Sequence, residues 1–139
     1  MPRPPWEIFA FFENPKNLAR LTPPDLGFHI LTRPPFEMRA GLVIDYEVRP
    51  FGIPTRWRTL IETYEPPRGF TDSQLRGPYA YWHHSHRFEA ENGGTRMTDE
   101  VRYRLPLWPL SAPAAPFVER ELNRVFDFRA RAVGELFPR

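Results

Sequence analysis

At 139 residues, with 41% hydrophobic, 26% charged and 15% aromatic side chains, the chain has the make-up of one globular domain over residues 1–139 and too much apolar bulk to remain disordered. It has no cysteine, which excludes a disulfide framework, thiolate metal sites and thiol nucleophiles. A formal charge of +2 is too small an excess to point to nucleic acid, and no basic segment leading into an apolar stretch, nor any run near the roughly 18 apolar residues of a membrane span, is present, so a soluble cytoplasmic protein is expected.

The first element, Trp6 to Phe12 with prolines at its first turn, reads as a short helix that stops at Asn14-Pro15. A second short helix, Pro15 to Leu21, ends before Thr22-Pro23-Pro24, because a residue preceding proline is pushed out of the helical region. Alternating patterns then predict strands at Phe28 to Thr32, Gly41 to Arg49, Thr55 to Tyr64, Phe70 to Leu75, Tyr79 to Glu91 and Thr95 to Leu105, separated by Gly- and Pro-bearing turns. Asn92-Gly93 is the strongest hairpin signal, since both central positions of a type I′ turn need positive φ. Pro106 to Pro116 reads as a loop, and Pro116 to Leu136 as a long helix. The expected fold class is α+β: a curved antiparallel sheet of about six strands wrapped around a long C-terminal helix, with two short N-terminal helices.

Alternation assigns the faces. The inward set is Trp82, His84, His86 and Phe88 on one long strand and Met97, Asp99, Val101, Tyr103 and Leu105 on its partner. Trp57, Thr59, Ile61 and Thr63, and Phe70, Asp72 and Gln74, are the inward sets of the two strands before them. With Asn92-Gly93 as the turn, His86 sits opposite Asp99, His84 opposite Val101 and Trp82 opposite Tyr103; a slip to Gly93-Gly94 would set Phe88 against Asp99 instead. Arg129 falls inside the apolar arc of the long helix. It either snorkels to water or points beneath the helix, where Asp99, Asp72 or a ligand must offset its desolvation, and the buried placement is the favoured one.

His84, His86 and Asp99 offer two imidazoles and a carboxylate, but alternate strand spacing is a weak metal signal and no metal or other cofactor is expected. His86 as a general base oriented by Asp99 is the catalytic alternative, limited to proton transfer or dehydration because no nucleophile accompanies the pair. The leading expectation is a cavity for a small hydrophobic or aromatic molecule with a polar end. Trp57, Trp82, Phe88, Met97 and Tyr103 would form its walls, and Asp72, His84, His86, Asp99 and Arg129 its polar end. A third reading, an interaction module without a cavity, requires the helix to lie flush on the sheet. No Walker, dinucleotide or zincin stretch occurs. The outward Arg56, Arg58, Arg87, Arg96, Arg102 and Arg104 are interrupted by Glu62, Glu89 and Glu100, which reads as ion pairs on a solvated face.

The stretches Phe9 to Leu18, Leu21-Thr22-Pro23, Trp57 to Ile61, Phe70 to Gln74, Gly77-Pro78-Tyr79, Trp82 to Phe88, Gly94 to Asp99 and Phe126 to Arg129 together resemble the START-type, or SRPBCC, helix-grip superfamily, which includes polyketide cyclases and small lipid-binding proteins. The match is nearest to a bacterial ligand-binding branch. The resemblance implies the sheet, the gripped helix and a ligand cavity between them, and it implies no particular activity. Members usually begin with a strand before the first helix, whereas only Met1-Pro2-Arg3-Pro4 stands there in this chain. Without that strand, Thr95 to Leu105 is an exposed edge, read either as a site of self-association into a homodimer or as the trace of a start codon assigned too late.

Overall fold

The computed structural model describes residues 2–33 and 36–138, without the side chain of Phe51. Helix α1 is Pro5–Phe12, with proline in its first turn. Asn14 then caps α2, Pro15–Leu18, its side chain accepting from the Lys16 amide at 3.0 Å. The chain tightens into a 3-10 turn over Ala19–Leu21, so the second predicted helix is α-helical only in its first half.

The strands are β1 His29–Ile30, β2 Val43–Val48, β3 Thr55–Glu65, β4 Gly69–Arg76, β5 Tyr81–Glu91 and β6 Gly94–Arg104. They form one antiparallel sheet in chain order, as the alternation predicts. The first strand is shorter than expected because the amides of Leu31 and Thr32 both bond to the Asp45 carbonyl, which ends the ladder. Asn92 and Gly93 have φ of 48° and 78°, the type I′ signature, and the register that follows sets His86 opposite Asp99 and Trp82 opposite Tyr103. Strand β6 is the outer strand, as expected, and the Thr95 hydroxyl at its start donates to the carbonyl of Arg3. Of the segment before α1, Met1 lies outside the described residues.

One inward assignment is corrected. The β3–β4 register shifts between Ile61 and Thr63, so Glu62 is an extra residue that flips the faces beyond it. Tyr64 instead of Thr63 therefore packs inward, at 5.7 Å from the Phe9 ring. On β4, a Cβ at Gly69 would lie 2.2 Å from the carbonyl oxygen of His86. Only glycine permits that approach.

Helix α3, Ala115–Leu136, starts beyond the ends of β4 and β6 and runs back until Phe137 meets Phe11 edge-on at 5.2 Å. None of its residues is fully buried. Its exposed side is tied down where Arg124 grips both carboxylate oxygens of Asp25, at 3.1 and 2.9 Å, and also bonds Glu121.

Candidate functional site

Because α3 stands off the sheet, a cavity of about 250 Å³ lies between them. The wall is mostly apolar. Trp57, Ile61 and Trp82 contribute from the sheet, Leu122, Val125 and Phe126 from α3, and Leu18 and Leu21 from the segment of α2. The indole of Trp57 stacks on Tyr46 at 6.0 Å and meets Trp82 edge-on at 5.1 Å, which makes this wall rigid. Helix α3 therefore does not lie flush on the sheet.

At one side the sheet supplies a polar floor. Register places Asp72 opposite His84 and Asp99 opposite His86, yet the hydrogen bonds run diagonally. His86 Nε2 bonds Asp72 Oδ2 at 2.7 Å, and His84 Nε2 bonds Asp99 Oδ1 at 2.8 Å. The two imidazoles stack at 3.8 Å, and His86 Nδ1 approaches the same Asp99 oxygen at 3.3 Å without hydrogen-bond alignment. Arg129 comes from α3 to within 3.5 Å of Asp99 Oδ1, its guanidinium carbon 5.4 Å from the centroid of the Phe126 ring. The buried placement of Arg129, with Asp99 as its carboxylate, is therefore the observed one.

Electrostatics assign the protons. Burial depresses His84, with the neighbouring His86 charge adding to it, to about 4. Burial also opposes a charged His86, but its bond to Asp72 and its proximity to Asp99 outweigh that and raise its pKa above the usual value. Burial would raise both carboxyls, yet the histidines and Arg129 hold Asp99 well below the ordinary carboxylate range, and His86 lowers Asp72. The floor therefore gathers two carboxylates whose pKa values are lowered, the Arg129 guanidinium, a His86 whose pKa is raised and a His84 that stays neutral near pH 7. Since an ionised Asp99 only accepts, His84 carries its proton on Nε2. Three nitrogens on cavity-lining residues, Trp57 Nε1, His86 Nδ1 and Arg129 Nε, are occluded without a hydrogen-bond partner among the described residues.

Of the residues expected at the site, Trp57, Asp72, Trp82, His84, His86 and Arg129 line the cavity. Asp99 lies behind the histidines as the acceptor for His84. Phe88 and Met97 do not form cavity wall: both belong to the core beneath α1, where Phe9 meets the Phe88 ring at 5.4 Å. Tyr103, near the end of β6, is also outside the lining and is half exposed. A further wall residue is Tyr46, whose hydroxyl accepts from Thr59 at 3.3 Å. Its signal was present in β2, where Ile44, Tyr46 and Val48 share one parity and all line the cavity.

A metal would have to use Asp72, His84 and His86, whose ligand atoms lie within 4.8 Å of one another. The donor set is suited to a transition metal, but the raised pKa of His86 and the guanidinium of Arg129 beside Asp99 oppose one.

The search of curated proteins returns no match. Structural likeness is broad. TTHA0849 from Thermus thermophilus aligns with a TM-score of 0.76 at 15% identity, covering 97% of this chain and 90% of that one. Protein Ms6760 from Mycobacterium smegmatis aligns at 0.71 and 16% identity, covering 98% and 85% of the two chains. Ara h 8.0201 aligns at 0.62 and 15% identity, covering 96% and 92%. These likenesses establish the helix-grip fold. The profile of the family described as polyketide cyclase / dehydrase and lipid transport matches residues 1–127, and the chain belongs to that family.

Proposed function

We propose that this protein binds or carries a small hydrophobic or aromatic molecule with a polar end, held between the sheet and α3. The observation that carries this reading is the apolar cavity of about 250 Å³ with its polar groups gathered on one side. Family membership supports it in general terms. The floor favours binding over catalysis, because the acidic and basic groups are already paired with one another. As the base of a cyclase or dehydratase, His86 has less support: its Nε2 is committed to Asp72, and that bond raises its pKa.

Native mass spectrometry of freshly purified protein against its denatured mass is the direct test, with an added organic mass as the expected result. Binding of anilinonaphthalene sulfonate gives a second readout. Val125→Trp, which fills the space from α3, should weaken the dye by at least about tenfold without unfolding the chain. A bare native mass together with unchanged dye binding in that variant would sink the reading.

A further inference from the structure

Six of the exposed large apolar side chains gather at one end of the molecule, whereas Trp6 and Val43 lie away from it. Ile53, Leu75, Tyr81, Leu107, Trp108 and Leu110 are all exposed, Leu107 and Leu110 at 78% and 83%. They come from two connections, a strand end and a strand start: the β2–β3 turn, the end of β4, the first residue of β5 and the segment between β6 and α3. Antiparallel register puts these at one end of the sheet, since Val48 faces Thr55, Arg58 faces Arg76 and Tyr81 faces Arg104. The cavity reaches the same end, where Pro50, Pro78 and Tyr79 line it.

The 105–118 segment contains no charged residue. It is also ordered: the amides of Ser111 and Ala112 bond the carbonyls of Leu107 and Pro109, and Leu107 is held at φ 60°. Prolines 106, 109, 113 and 116 stiffen it further. Beside it, Arg76 and Arg104 are exposed and have no ion pair among the described residues. Asp25 and Glu121 are locked onto Arg124, and Glu119, one residue past the segment, is exposed. Rigidly displayed leucines, an aromatic belt of Trp108 and Tyr81, and unpaired arginines form the pattern that suits the headgroup region of an anionic bilayer.

We infer that this end of the molecule docks on anionic lipid surfaces, with Leu107, Trp108 and Leu110 entering the interface and Arg76 and Arg104 meeting the phosphates. Attachment of this kind is peripheral; among the described residues no helix is long and apolar enough to cross a membrane. Unpaired Arg76 and Arg104 beside an uncharged segment that exposes Leu107, Trp108 and Leu110 favour a bilayer over a protein partner, since they match the phosphate and apolar layers of one interface. Docking there would set the cavity's Tyr79 side against the membrane.

Flotation of the full chain with vesicles of phosphatidylcholine and phosphatidylglycerol in equal parts tests the inference. We expect binding that weakens with salt, that is much poorer on phosphatidylcholine alone, and that drops at least about tenfold in the double variant Leu107→Glu, Leu110→Glu. Those side chains are already in water, so the unfolding midpoint should not move. Trp6→Ala, at the opposite end, should float like the wild type. Failure of the wild type to float at low salt would overturn the inference, as would equal flotation of wild type and double variant. Light scattering showing a dimer that only the double variant dissolves would overturn it too, by assigning the face to a second copy.

Discussion

The same strands build two different halves. At the end where β4 begins and β5 finishes, α1 presses Phe9 against Phe70 and Phe88 at 5.9 and 5.4 Å, both edge-on, and the sheet is sealed. Toward the other end the inner face meets α3, which buries no residue fully, and the space stays open over Trp57, Trp82 and the two histidines. The difference lies in the covering helix. A short helix carrying Ile8 and Phe9 at almost no exposure can nestle into the sheet's curve, whereas a 22-residue helix spans that curve as a chord. The polar floor sits at the seam, where a core that must exclude water meets one that keeps room.

The sharpest way to break this contrast is to remove one contact from each half. Phe9→Ala should cost about 4 kcal/mol in denaturant unfolding, through lost burial and an unfilled void, while Leu122→Ala, beside space that already exists, should cost less than about 1 kcal/mol. Equal costs would mean that α3 is packed as tightly as α1. The seam comes next in size. Asp99→Asn removes the charge that His84 and Arg129 share and should cost about 3 kcal/mol; a loss under about 1 kcal/mol would show the network to be dispensable.

A further effect is one of pH. The folded chain holds His84 near 4 against the usual 6.5, so the unfolded chain takes up a proton that the folded one refuses, and stability falls as pH drops from about 6.5 toward 4. His86 is raised and acts in the opposite sense: its contribution is complete below about 6.5 and is lost as pH rises through its higher folded value. Unfolding free energy measured over a pH series should therefore peak near 6.5. His84→Asn should flatten the acid side and His86→Asn the alkaline side. A profile that His84→Asn leaves unchanged would contradict the assigned protons.

Much of the seam was legible in the sequence. Asn92-Gly93 fixes the β5–β6 register, and from it the facing of His86 and Asp99 follows. The apolar arc of α3 likewise brings Arg129 inside. The diagonal bonding was not legible, because register gives Cα partners and the reach of a tilted imidazole decides which carboxylate it meets. Nor could Phe88 and Met97 be told from cavity wall. They share the parity of His86 and Asp99, and only the position of α1, set by tertiary packing, puts them in the sealed half. Nothing in Ile61-Glu62-Thr63 marks the bulge either, since each residue is as acceptable in a regular strand.

Gly69 carries a consequence for how variants of this protein sort. Its bare Cα lets β4 settle against the backbone of His86, so any larger residue would have to push β5 aside and carry the His86 ring away from Asp72. A substitution survey scored by ligand retention would rank this glycine with the histidines, although it has no side chain to offer a ligand. Scored by yield of folded protein, the same survey would separate them, since His86 can be exchanged for a residue of similar bulk and Gly69 cannot be exchanged at all without moving main chain.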